Sequence, residues 1–138
     1  MSEGKPYDLE ERLIEFAVRI LRLPEALPNT PTGNHIRGQI IRSGTSQAPN
    51  YAEARSAESR NDFVHKIQIV LKELRETLVW LRIIMRAELI KPASLVAPVA
   101  GENNELISIF VTSSRTASAK APRRPGKGTL GCQPGGAV

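Results

Sequence analysis

A long run of residues with helical periodicity, from Ser59 to about Ile90, constrains the fold more than any other part of the chain. Apolar residues recur there at steps of three and four, which is the spacing of one buried helix face. Ser59 followed by Asp62 matches a pattern in which a hydroxyl caps the first turn of a helix. The apolar stripe consists of Phe63, Ile67, Val70, Leu74, Leu78, Leu81 and Met85. We therefore predict a long helix that is buried along one side.

The same helix carries a second apolar group, roughly a third of a turn away from the first stripe. A helix at the rim of a monomeric bundle needs only one apolar stripe, whereas two stripes indicate burial on two sides. The second group could contact another subunit, or it could belong to one wide contact with a neighbouring helix of the same chain. We predict self-association through this group, which consists of Ile69, Trp80, Ile83 and Ile84.

Three further helices are predicted on the same grounds. The first begins at Asp8, which forms a capping pattern with Glu11, and it ends or kinks at Pro24. The second covers about residues 31–56, and the fourth covers about residues 94–119. Four helices joined by short links around an aliphatic core indicate an all-α, up-and-down four-helix bundle.

The second predicted helix is unusual because part of its seam is polar. Ser43, Ser46, Asn50 and Glu53 recur at helical steps, and Pro49 lies among them, where it removes a backbone donor and should bend the helix. Buried polar groups need partners, since an unpaired one costs on the order of 1–3 kcal/mol. Three interpretations follow: a polar network with the long helix, a polar site in a groove or between subunits, or simple exposure. The predicted partners on the long helix are Lys66, Glu73, Arg75 and Glu76.

Net charge divides the chain into a neutral body and a basic end. Residues 1–105 contain 14 Lys and Arg and 14 Asp and Glu, so the formal net charge of +5 arises entirely from later residues. The last 18 residues contain 3 Pro and 5 Gly, which predicts a flexible tail over residues 121–138 after a bundle domain over residues 1–120. Arg123, Arg124 and Lys127 could add phosphate contacts there.

Positive charge also lies on one side of the long helix. Lys72, Arg75, Arg82 and Arg86 share this side, and Arg42 adds a cation from the second helix. In an oligomer such side chains would be repeated and would concentrate positive potential on one surface, which favours nucleic acid. The alternative is that these cations are solvated or paired with acids. Aromatic platforms for stacked bases are missing, so base-specific reading of single strands is not expected.

Catalytic chemistry has no signature in the sequence. His35 and His65 have no second ligand at metal spacing, Glu73 and Glu76 are flanked by cations, and no phosphate-binding glycine loop is present. We expect no metal, no cofactor, no small-molecule ligand and no enzymatic activity. Apolar runs are too short for a membrane span, and the N-terminus lacks a signal-peptide core, so a cytoplasmic location is expected.

These helices resemble a family of bacterial four-helix-bundle proteins, first met as open reading frames in intervening sequences of large-subunit ribosomal RNA genes. The resemblance covers roughly residues 7–119, while Pro49 departs from the small residue usual at its position, and the tail is no part of the pattern. It is carried by the segments QIIRSGTSQAPNYAEA (39–54), SRNDFVHK (59–66), KELRETLVWL (72–81), NEL (104–106) and IFV (109–111).

The resemblance implies a homo-oligomer, typically a pentamer, without known enzymatic activity. A relative in this family is the accessory protein of diversity-generating retroelements, which implies RNA, DNA or a reverse transcriptase as partners. We therefore predict a non-enzymatic oligomeric bundle that binds nucleic acid or a nucleic-acid enzyme. The alternatives are a purely structural assembly module, or a ligand-binding core, which would require a cavity beside Ser46, Asn50 and Glu73.

Overall fold

The computed structural model describes residues 8–120, and every regular element in this range is helical. The α-helices are α1 (Asp8–Arg22), α2 (Pro31–Thr45), α3 (Gln47–Arg55), α4 (Arg60–Arg86) and α5 (Ala97–Lys120). Short 3-10 turns follow α1 at Leu23–Ala26 and precede α5 at Ala93–Leu95. Because α2 and α3 are consecutive parts of one bent rod, the architecture is the predicted all-α four-helix bundle. The predicted tail, residues 121–138, lies outside the described residues.

Local hydrogen bonds set the ends of the longest helix. The hydroxyl of Ser59 accepts a hydrogen bond from the Asp62 N–H at 3.0 Å, so the predicted cap is present. At the other end, Glu88 adopts a positive φ of 53°, and the Leu89 N–H bonds to the Ile84 carbonyl at 3.0 Å. This C-terminal motif turns the chain out of the helix. The helix therefore stops at Arg86, a few residues before the predicted Ile90.

The predicted second helix is divided into two at Ser46. Pro49 causes this division, because its nitrogen cannot donate to the Thr45 carbonyl four residues back and its ring crowds that carbonyl. Helical bonding resumes at once, since the Asn50 N–H bonds to the Ser46 carbonyl at 3.1 Å. The result is the predicted bend, which falls at Ser46, a residue whose backbone dihedral angles stay in the right-handed helical region.

The α4 helix packs against α2, α3 and α5, and α1 packs against the same three helices. Since α1 and α4 share neighbours without being a principal packing pair, they lie diagonally across the bundle. Contacts with the α2–α3 rod run in opposite chain directions: His35 faces Trp80, whereas Glu53 faces Lys66. This order is that of an up-and-down bundle.

The buried line of α4 differs from the predicted stripe in its second half. It passes through Ile67, Val70, Leu74, Thr77, Leu81 and Ile84. Leu78 and Met85 are only partly buried, because two lines at helical spacing were available and the structure centres the core on the one that includes Thr77 and Ile84. A polar residue thus occupies a core position that the apolar pattern did not predict.

Gly44 allows α1 and α2 to approach closely. A Cβ atom at this position would lie 2.7 Å from Cγ2 of Ile20, a fully buried side chain. Gly38, also in α2, is exposed, and a Cβ atom there would meet nothing within 4 Å. A comparison of the two positions therefore distinguishes the need for close packing at Gly44 from the general cost of a glycine in a helix.

We expect Gly44→Ala to destabilise the bundle by about 1–2 kcal/mol, because overpacking outweighs the gain in helix propensity. Gly38→Ala is the matched control and should stabilise it by up to about 1 kcal/mol. Urea unfolding followed by circular dichroism measures both changes. Equal responses at the two positions would show that the close approach of α1 and α2 is not required.

Candidate functional site

The outward face of α4 carries four cations at helical spacing, here called the basic stripe. Lys72, Arg75, Arg82 and Arg86 are all exposed, and none has a carboxylate within 4.0 Å among the described residues. Val79 lies between them with 51% of its surface exposed. The helical spacing sets these side chains along one line parallel to the axis.

Arg42, which the sequence analysis added to these cations as a nucleic-acid-binding residue, lies apart from the basic stripe. It projects from α2 towards α4 and forms ion pairs with Glu73, at 3.4 Å, and with Glu76. Its charge is therefore matched by two carboxylates, and its role is to join the two helices. The Glu76 carboxylate also accepts a hydrogen bond from Trp80 Nε1 at 3.0 Å. Glu73 and Glu76 are in this way held on the flank of α4 that faces α2.

The acids of α5 are held on the other side of the bundle. Arg12 of α1 donates to both oxygens of Glu102, at 2.7 and 2.9 Å, and to Glu105 at 2.7 Å. The hydrogen bond to Glu102 raises the pKa of Arg12 above its ordinary value. These contacts tie α1 to α5 and direct both carboxylates towards α1.

The surface of α5 beside the basic stripe is consequently uncharged. A shallow depression between the two helices is lined by Leu78, Arg82, Ala100, Gly101 and Asn104. A second depression on α4 itself is lined by Val79, Arg82, Ile83, Arg86 and Ala87. Arg82 lines both depressions, so its positive charge lies beside the uncharged, solvent-exposed surface of α5.

Behind the stripe, a polar layer crosses the core between the α2–α3 rod and α4. The hydroxyls of Thr77 and Ser43 are 3.0 Å apart, and Thr77 also bonds to the carbonyl of Glu73 at 2.8 Å. Gln47 Nε2 donates to the Ser43 carbonyl at 2.6 Å, while its Oε1 has no partner within the described part of the chain. All three side chains are buried.

Asn103 of α5 forms hydrogen bonds with the backbone of α4 on the opposite flank, at nearly the same height along the helix as Thr77. Its amide nitrogen donates to the Leu74 carbonyl at 3.1 Å, and its oxygen accepts from the Leu78 N–H at 3.2 Å, in the amide orientation that satisfies both. Asn103 is fully buried. Side chains on both flanks thus hold the middle of α4 in one register.

Of the predicted polar seam, only Ser43 belongs to this layer. Ser46 and Asn50 bond to carbonyls of their own rod, at 3.3 and 2.9 Å. Glu53 pairs with Lys66 at 2.7 Å, and this hydrogen bond raises the pKa of Lys66. Because Ser46 and Asn50 satisfy themselves locally and Glu73 binds Arg42, the three side chains do not converge on a ligand space.

Gln47, Thr77 and Asn103 were missed by the sequence reasoning. Thr77 could have been found, since it lies three residues after Leu74 and four before Leu81 and so occupies a seam position. Asn103 lies three residues before Leu106, on the line that leads to Phe110. A polar residue at a seam position is compatible with a buried hydrogen-bond network and not only with an exposed helix face.

The predicted oligomer interface is partly changed by the structure. Assigning Ile84 to it is wrong, because this side chain is 0% exposed and packs in the core of its own chain. Ile83 is 39% exposed, whereas Ile69 and Trp80 are partly buried. Trp80 contacts the ring of His35 edge-on, with centroids 6.0 Å apart.

A second exposed aliphatic group lies on α1 and was not predicted. Ile14 and Leu21 are 39% and 49% exposed, at positions seven residues apart on the same helix face. Because α1 and α4 are diagonal in the bundle, this group and Ile83 point away from each other.

No group of three or more His, Cys, Asp or Glu within residues 8–120 is arranged to hold a metal ion. No helix in this range is long and apolar enough to cross a membrane.

Comparison with known proteins relates the chain to one family. The family described as 23S rRNA-intervening sequence protein matches residues 7–110. A solved structure of a protein with unknown function from the S23 ribosomal protein family, from Bacteroides thetaiotaomicron, shares 34% sequence identity with a TM-score of 0.71. The match covers 78% of this chain and 98% of that one. No curated protein matches the sequence.

The polar layer predicts that Thr77→Val will destabilise the bundle by about 1–3 kcal/mol, because Ser43 and Gln47 lose a buried partner while volume is kept. Thr112→Val on the exposed face of α5 is the control and should change stability by less than about 0.5 kcal/mol. Urea denaturation with equal m-values measures the difference. A neutral Thr77→Val would mean that the hydroxyl contributes nothing to the core.

Proposed function

The chain belongs to the 23S rRNA-intervening sequence protein family, and we propose that it is a non-enzymatic, homo-oligomeric accessory protein that binds nucleic acid in the cytoplasm. The observation that carries the proposal is the basic stripe of α4, whose four cations have no acidic partner within the described residues. Unpaired cations on a regular surface attract phosphates through counterion release.

The distribution of acids supports this proposal over a purely structural role. If the cations served only solubility, the acids of the same helix could pair with them at helical spacing. Instead, Glu73 and Glu76 bind Arg42, and the acids of α5 bind Arg12. Positive potential above α4 is therefore not cancelled by its neighbours.

Self-association is the second part of the proposal, and a pentamer is the form that the family resemblance favours. Exposed aliphatic side chains lie on two diagonal helices, Ile14 and Leu21 on α1 and Ile83 on α4. Two different patches on opposite sides of a subunit favour a head-to-tail contact between subunits. Such contacts close into a ring when the rotation from one subunit to the next allows closure. A ring would repeat the basic stripe and strengthen binding by multivalency.

The double variant Arg75→Glu/Arg82→Glu tests nucleic-acid binding. We expect labelled RNA or DNA to bind the natural chain at about 50 mM salt, and the variant to lose about a hundredfold in affinity, because two phosphate contacts are removed. Fluorescence anisotropy measures this. The control variant Arg19→Glu/Arg22→Glu makes the same change of net charge on α1 and should lose far less affinity. Sedimentation checks the oligomeric state of both variants. Absence of any binding by the natural chain would exclude the proposed function.

Sedimentation also tests self-association directly. The natural chain should sediment as a defined oligomer, and Ile83→Glu should shift it towards monomer, because a charge is placed in an apolar contact. Ser108→Glu on the exposed face of α5 is the control and should leave the oligomer intact. A natural chain that is monomeric at micromolar concentration would exclude the oligomeric part. A defined oligomer that binds no nucleic acid would favour the purely structural role.

A further inference from the structure

We infer that the basic stripe is built for double-helical nucleic acid, with α4 lying across the wide groove of a duplex and its cations on the phosphates at both rims. This inference rests on the proposed function and specifies the ligand of the same surface. It follows from the spacing of the cations, from the chemistry between them and from the rigidity of the helix that holds them.

The cations form two pairs rather than an even series. Lys72 and Arg75 make one pair, and Arg82 and Arg86 make the other. At about 1.5 Å of rise per residue, the centres of the pairs are about 16 Å apart along the axis. This separation suits the rims of a wide groove, since the major groove of B-form DNA is about 12 Å wide between its phosphate walls. In A-form RNA the wide and shallow groove is the minor one.

The surface between the two pairs is apolar and uncharged. Val79 protrudes there, and its side chain cannot read bases through hydrogen bonds. The stripe itself carries no aromatic side chain. Trp80 is the nearest aromatic residue, but its indole is turned to Glu76 and His35 on the α2 flank. Single strands are bound largely by stacking on aromatic platforms, so this surface lacks what they need.

Rigidity favours the duplex further. The α4 helix is continuous from Arg60 to Arg86, and its middle is fixed by Thr77 on one flank and Asn103 on the other. A flexible strand can adapt to many cation spacings, whereas a fixed spacing selects a fixed distance between phosphates. The uncharged α5 surface at Gly101 and Asn104 also leaves room beside Arg82 without repelling a second backbone.

The test compares one sequence as a duplex of about 20 base pairs and as each of its single strands, in both RNA and DNA forms, by anisotropy with the full chain. We expect the duplexes to bind at least about tenfold more tightly than the strands, with little dependence on base sequence. Between 50 and 200 mM salt, affinity should fall by about a hundredfold for each subunit engaged, given about four phosphate contacts. The RNA and DNA forms establish which groove is preferred.

Two paired variants locate the contacts. Lys72→Ala/Arg75→Ala and Arg82→Ala/Arg86→Ala should each lower the salt slope by about two, and Arg19→Ala/Arg22→Ala on α1 should leave it unchanged. Hydroxyl-radical footprinting of the natural complex should show protection on both strands, facing each other across one groove. Single strands that bind as tightly as duplexes, or protection confined to one strand, would overturn the duplex inference and leave the proposed function standing. Lack of binding to every nucleic acid would overturn both.

Discussion

The packing of α4 against three other helices is the constraint on which the rest of the structure depends. Contacts with α2 and α3 on one flank and α5 on the other leave a single narrow face in solvent. A helix enclosed in this way must sort its side chains by direction, because a charge on either flank needs a partner and a charge on the free face does not. The charged residues of α4 follow this rule.

Sorting by direction separates the charges of the bundle by sign. Glu73 and Glu76 of α4 face a cation on α2, Glu102 and Glu105 of α5 face a cation on α1, and the basic stripe on the free face of α4 has no acidic partner among the described residues. Each exposed ion pair contributes little to stability, since the median for such pairs is about 0–1 kcal/mol. Their larger effect is on the electrostatic potential, because a paired carboxylate no longer offsets the cations on the next helix face.

The helical class, the bend at Pro49 and the cap at Ser59 followed from sequence because each depends on local chemistry. The site was harder to predict. Membership of the basic stripe could be derived for Lys72, Arg75, Arg82 and Arg86, which share one helix face. Arg42 and Ile84 could not be placed, since their surroundings depend on which neighbour covers each flank of α4.

Arg42 shows how a residue outside the basic stripe governs its strength. A neutral side chain at this position would leave all four cations in place, yet it would release Glu73 and Glu76 on the same helix. Two carboxylates without a partner would then lie within a few helical turns of the four positive charges. The nearest of these charges would be closer to them than the Debye length of about 10 Å, so salt would not screen the attraction. The long-range attraction of this surface for a polyanion is thus set jointly by two helices. Drift at position 42 during evolution would therefore weaken the positive potential without changing any residue of the basic stripe.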